Sequence, residues 1–262
     1  MTSKNSWVAF AGLAALLAGV AVLASSDTGS DIGFESGERD KLGLFSTLPI
    51  YWGEVGDMND MLSGSAEPHW ARAALEEDYN LIPLDALLES GDDEGALDRL
   101  ERLVLAQPRA LSASENIALD NWVREGGRAL IFADPMLTRH SRFSIGDRRR
   151  SQDVVLLSPI LQRWGLELQV DDDEPLGERA IDTGTTSIPV NLPGQLVILP
   201  TATDAPANCT IQTGGLLADC VIGQGSALIL ADAAVLEDHS DEEDATRQTA
   251  LKFLTDQAFD SK

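Results

Sequence analysis

The feature that most constrains this chain is an alternation. From residue 42 onward, apolar runs of strand length take turns with segments of helical periodicity. LGLFST (42–47), YNLIPL (79–84), RLVLAQ (102–107) and ALIFADP (129–135) read as strands, and stretches around 66–77, 92–100 and 112–126 read as helices. Antiparallel neighbours can be joined by a two-residue turn, whereas parallel neighbours need a crossover of a dozen or more residues, usually helical. Spacers of helix length therefore specify βαβ units, and with them a mostly parallel, doubly wound α/β sheet covered on both faces.

The helix at 112–126 has the clearest ends. Ser112 and Glu115 form a capping-box pattern, Leu119, Trp122 and Val123 fall on one face, and Gly126-Gly127 supply the stop. A second strong helix spans 241–258, where Ala250, Leu251, Leu254 and Ala258 keep helical spacing; Asp241 to Asp244 then sit at the positive end of the helix dipole. Between these come a helix near 154–164, a strand at 166–170, and a stretch rich in Gly, Pro and Thr from about 171 to 222. That stretch reads as a β-rich insertion, after which SALILADAAVL (226–236) returns the chain to the sheet.

Ahead of the domain, Trp7 to Ala24 is an 18-residue run without charge, preceded by Lys4 and followed by acidic SSDTGSD. Its length suits one membrane crossing, and the charge asymmetry places residues 1–6 as a cytoplasmic tip and the remainder on the other side. A retained anchor fits the length better than a cleaved signal, although Val22-Leu23-Ala24 has the small-residue character of a cleavage site. Residues 25–40, rich in Gly, Ser and Asp, read as a stalk, leaving 41–262 as the domain. The formal charge of −24 opposes binding to nucleic acid. Cys209 and Cys220 flank a turn-forming pair, Gly214-Gly215, so in an oxidising compartment a structural disulfide across that hairpin is expected.

No recognisable catalytic centre is expected. Gly-x-Ser-x-Gly is missing, and the turn that ought to carry a nucleophile reads Gln107-Pro108-Arg109-Ala110. His69, His140 and His239 lack zinc-site spacing, the acidic run 171–174 lacks the pattern of a calcium loop, and no cofactor motif stands. One segment does concentrate chemistry. After the strand ending at Asp134, the sequence MLTRHSRFSIGDRRR carries Arg139, His140, Ser141, Arg142, Asp147, Arg148, Arg149 and Arg150, the one dense basic cluster in an acidic chain. It leaves from the carboxyl end of a strand, where α/β sheets hold ligands, so Gln107 and Asp134 mark the expected crevice. Arginine forks suit carboxylate and phosphate, which makes the loop a candidate site for an anion or an acidic partner. The same arginines could instead pair with the protein's own carboxylates and pin a long loop.

The run VLAQPRALSASENIALDNWVREGGRALIFADP, continued by SRFSIGDRRR, LLSPILQRWGLEL and ALILADAAVLED, resembles the GldG-type "ABC-type uncharacterised transport system" domain family. That resemblance implies a flavodoxin- or amidotransferase-like fold lacking the catalytic Cys and His, in a domain outside the cytoplasm that serves ABC-type transport or gliding machinery. The expected function is a membrane-anchored, non-catalytic binding or accessory domain at the inner membrane, facing the periplasm or exterior and contacting a protein partner in an envelope or transporter complex. Two alternatives stand beside it: a glycan-type envelope hydrolase using two carboxylates such as Asp134 and Asp147, and a purely structural assembly subunit.

Overall fold

A computed structural model describes residues 39–54, 68–88, 95–171, 173–200, 207–238 and 241–260. The tip at 1–6, the apolar run at 7–24 and all but the last two residues of the stalk lie outside the described residues. Among the described residues, no helix is long and apolar enough to cross a membrane.

Five neighbouring strands run parallel: β1 (Lys41–Ser46), β2 (Asn80–Leu84), β3 (Arg102–Ala106), β4 (Arg128–Phe132) and a late strand, Gly225–Leu230. Numbering the strands in chain order makes that one β11. The others are β5 (Leu166–Gln169), β6 (Arg179–Asp182), β7 (Ser187–Val190), β8 (Gln195–Ile198), β9 (Ala207–Gln212) and β10 (Leu217–Ile222). The main sheet has the order β2-β1-β3-β4-β11-β10-β9, with β10 antiparallel to both of its neighbours. The chain moves outward from β1 to β2 and then crosses back to β3, so the strand order reverses between β1 and β3.

The near-continuous apolar character of β1, β3, β4 and β11 follows from burial on two faces. Leu42, Leu44, Val104, Leu130, Phe132 and Leu228 share one core with Ala71, Leu75, Ala250, Leu251 and Leu254. These last belong to helices α1 (Trp70–Asp78) and α4 (Asp241–Phe259). On the other face Phe45, Leu103, Leu105, Ile131 and Ile229 pack with Leu119, Trp122, Val123, Ile160 and Leu161 of α2 (Ala113–Arg124) and α3 (Ser158–Arg163). The result is the expected three-layer α/β arrangement. The Ser112–Glu115 capping box also forms: each side chain accepts the other's backbone N–H, at 3.2 and 2.9 Å. Asp120 on α2 joins the layer together by accepting from Arg124, Arg163 and the Trp164 indole at 2.8 to 3.0 Å.

Three expectations need correction. The helix expected at 92–100 is, where described, a single 3-10 turn, Ala96–Arg99. Leu100 must already be extended to feed β3, which leaves no room for a longer helix. The helix expected at 154–164 is only Ser158–Arg163, with Pro159 in its first turn, because the residues before it are committed to the edge of the sheet. The stretch 171–222 is β-rich, with two small sheets, β5–β8 and β6–β7, but β9 and β10 belong to the main sheet. Leu217, Ala218, Cys220 and Ile222 are buried there among both cores. Cys209 and Cys220 face each other directly across β9 and β10 and are joined by the disulfide expected from their spacing. The connecting turn takes positive φ at Thr213, Gly214 and Gly215, a conformation that two glycines make inexpensive.

Candidate functional site: the carboxyl edge of the sheet

Four of the five parallel strands deliver a polar residue to the carboxyl edge just beyond their ends: Thr47 after β1, Gln107 after β3, Asp134 after β4 and Asp232 after β11. Gln107 sits with φ +45, a left-handed conformation costing about 1–2 kcal/mol for a residue with a Cβ. This is the strained position where a strand-to-helix turn can present a nucleophile. Here the side chain is fully buried and turned to structural use. Its amide nitrogen donates to the carbonyls of Asp134 and Gln152, each at 2.9 Å, while its oxygen accepts the Asp134 N–H at 2.9 Å. The Thr47 hydroxyl donates to the Gln107 carbonyl and accepts the Gln152 N–H at 3.1 Å. Ser151 donates to the Thr47 carbonyl at 3.0 Å, and the Val155 N–H to the Asp134 carbonyl at 3.0 Å.

The crevice between β1 and β3, the usual ligand position in such a sheet, is therefore filled by residues 151–155 of the same chain. Gln107 and Asp134 are brought together as the sequence implied, but as struts. Asp134, 1% exposed, lies beside Asp232, 0% exposed. Asp134 accepts from the N–H groups of Met136 (2.8 Å) and Ala233 (3.3 Å), and Asp232 from those of Asn191 (2.9 Å) and Ala234 (2.6 Å). Burial pushes Asp134 up to about 7 against the opposing hydrogen bonds. Burial, with the Asp134 charge added, pushes Asp232 well above the carboxylate range.

Asp232 does not stand out in the sequence by itself, yet a signal exists. ALIFAD ending at Asp134 and ALILAD ending at Asp232 are nearly the same word, and the register pairs Ala129 with Ala227 and Phe132 with Leu230. Parallel pairing in that register places the two aspartates side by side.

The arginine loop departs from this edge and is pinned largely by the protein's own carboxylates. Glu54, missed in the sequence, is its anchor: Arg139 pairs with it, Arg142 donates its N–H to the carboxylate at 3.1 Å and its guanidinium to the Glu54 carbonyl at 3.2 Å. Burial works against the Glu54 carboxylate, but Arg139, the Arg142 N–H and Ser141 hold it below its ordinary value. Arg149 pairs with Asp147 at 2.8 Å and lies 4.2 Å over the Phe143 ring. Arg150 pairs with Asp153 at 2.8 Å and donates to the Phe143 carbonyl at 3.0 Å. The Arg149 guanidinium holds Asp147 down to about 2. His140 is exposed, and Arg148 is exposed with no hydrogen bond or ion pair among the described residues.

Asp134 and Asp147 thus stand in different surroundings, one buried beside another carboxylate and one ion-paired with Arg149 in the loop. No cluster of three or more candidate metal ligands occurs among the described residues. A recess of about 590 Å³ lies away from this edge, between α1 and α4, lined by Trp70, Ala74, Thr186, Lys252 and Phe253.

No curated protein sequence matches this chain. Among solved structures, the exo-beta-1,4-mannosidase Op5Man5 from Opitutaceae bacterium strain TAV5 is similar at TM-score 0.44 and 12% identity, over 85% of this chain and 34% of that one. The GH42 beta-galactosidase Gan42B from G. stearothermophilus gives TM-score 0.47 and 12% identity, over 84% and 30%. The mmIFT52 N-terminal domain gives TM-score 0.47 and 13% identity, over 84% and 97%. The chain spans about a third of the length of the two glycosidases. Likenesses this distant carry no argument about activity. The family model described as "ABC-type uncharacterized transport system" matches residues 39–174, which takes in β1 to β5, the filled crevice and the whole arginine loop. On that match, over just more than half its length, the chain belongs to the ABC-type uncharacterized transport system family.

Proposed function

We propose that this chain is a non-catalytic accessory domain of an ABC-type transport system, tethered to the inner membrane by residues 7–24 and displayed outside the cytoplasm. The family match over 39–174 carries the reading. Two features support its finer parts. The strand-end crevice holds the chain's own Thr47, Gln107 and Gln152 in place of a ligand, and the carboxyl pair beneath it has almost no surface for substrate or water to reach. The Cys209–Cys220 bond suits an oxidising compartment, and Lys4 before an uncharged run bordered by acidic residues suits export of the rest of the chain.

The test is purification of the tagged full-length chain from detergent-solubilised membranes of its own cells. Co-purification of an ABC ATPase or its membrane subunit in constant ratio, together with surface labelling of the domain in intact cells or spheroplasts, is the expected result. Recovery of the chain alone, or turnover of a glycan by the purified protein, would overturn the reading.

A further inference from the structure

The arginine loop ends in an apolar knob. Ile145 is 88% exposed at its tip, inside a turn closed by the Asp147 N–H on the Ser144 carbonyl at 3.0 Å and permitted by Gly146 at φ +88. The knob is held from both sides. On one, Arg139 and Arg142 fasten the loop to Glu54; on the other, Arg149 grips Asp147 while stacking on Phe143, and Arg150 grips Asp153. None of this bracing is needed to fill the crevice, which residues 151–155 already do. An exposed isoleucine contributes nothing to the folded state, so its ordered presentation lowers the entropic cost of docking to something else. The segment that Glu54 ties to the loop adds a second large apolar side chain, Trp52, 68% exposed. The loop that carries Ile145 also carries Arg142, Arg148 and Arg149, all exposed, and Arg148 has no carboxylate partner among the described residues. Positive charge gathered here, in a chain of net charge −24, complements an acidic surface and repels a basic one.

We propose that the tip of this loop is a protein-docking surface, with Ile145 as the anchor, Trp52 as additional apolar contact and Arg148 as the charge that selects a partner. The partner surface is an apolar recess rimmed by carboxylates. The proposal rests on the accessory-domain reading and names the interface that such a domain would use. A few anchors ringed by contacts that exclude water, with Trp and Arg prominent among them, are the usual energetic centre of such interfaces.

The experiment places a photo-activated crosslinking amino acid at position 145 of the full-length chain in native membranes. A second variant carries it at position 176, where Leu176 is 87% exposed outside the loop. Expected is a protein adduct from position 145 and not from 176, mapping by mass spectrometry to a peptide in which Asp or Glu flank apolar residues. Arg148→Glu should cut that adduct tenfold or more, and reversing the acids of the mapped peptide should restore it. Because Arg148 has no partner to lose within the described residues, Arg148→Glu should leave the thermal midpoint unchanged, which separates lost docking from lost folding. Adducts to lipid alone, to a second copy of this chain, in equal yield from 176, or indifferent to Arg148→Glu would overturn the proposal. If transport subunits still co-purify while position 145 gives no adduct, the accessory-domain reading survives and this interface does not.

Discussion

Replacing Asp134 by asparagine should make the protein more stable above neutral pH and remove part of its pH dependence. Asp134 and Asp232 are buried side by side at the ends of β4 and β11, and both carboxylates accept from backbone N–H groups. Burial raises Asp134 to about 7, roughly 3 units above the value of about 3.9 expected in an unfolded chain. The folded state therefore keeps a proton that the unfolded state has released between about pH 4 and pH 7, and stability falls as pH rises through that window. At about 1.4 kcal/mol per unit, the whole effect is on the order of 4 kcal/mol. Asparagine carries its hydrogens permanently but offers one acceptor in place of two, so losing the weaker Ala233 bond should cost about 1–2 kcal/mol. Asp134→Asn should then match the wild type in stability near pH 5 and be the more stable protein, by about 2–3 kcal/mol, at pH 8. Urea denaturation of both proteins with the disulfide intact, at intervals from pH 4.5 to 8.5, measures this directly. Loss of the Asp134 charge also relieves Asp232, which flattens the variant's curve further, while acids away from this pair cancel in the difference; parallel stability curves for the two proteins across that range would refute the reasoning.

Other consequences rest on single contacts. Reducing the Cys209–Cys220 bond, which closes a segment of 11 residues, should lower stability by about 3 kcal/mol, seen as a drop in thermal midpoint with reductant that Cys209→Ala and Cys220→Ala together abolish. Glu115→Ala should cost about 2–3 kcal/mol in denaturant titrations, because the carboxylate accepts from the Ser112 and Leu87 N–H groups and pairs with Arg109. Arg109 chiefly holds Glu115 down to about 2; its contribution is complete above the ordinary glutamate value and is lost as pH falls toward 2, so wild type and variant should converge in acid. Gly127→Ala should cost about 2 kcal/mol or more by thermal melting, since a Cβ there would come within 2.4 Å of the Trp122 ring.

The parallel sheet was legible because β1, β3 and β4 are buried on two faces and so appear as short unbroken apolar runs. The α2 helix was legible because its capping box is local in sequence. So was the disulfide, whose two strands and turn span only a short stretch of chain. The features that escaped depend on neighbours far apart in the chain. Whether β9 and β10 extend the main sheet is decided by where β11 lies, and nothing within 207–222 states that. Glu54 is the loop's anchor across 85 and 88 residues, and an isolated glutamate carries no mark of such a role. Asp134 stood out at a strand end, but its pairing with Asp232 becomes visible only once β4 and β11 are known to be adjacent. The arginine cluster stood out in the sequence as a concentration of charge, and the protein's own Glu54, Asp147 and Asp153 pair with Arg139, Arg149 and Arg150. Arg148 and the exposed Ile145 distinguish the remaining surface.

The central claim is that the ligand crevice of this sheet is closed by its own chain, and amide hydrogen exchange tests it directly. The N–H groups of Asp134, Gln152 and Val155, bonded to Gln107, Thr47 and Asp134, should exchange as slowly as those in the centres of β3 and β4. Exchange at the rate of an exposed loop, or protection that appears only when a glycan or other small ligand is added, would mean that the crevice opens to substrate and would contradict the account.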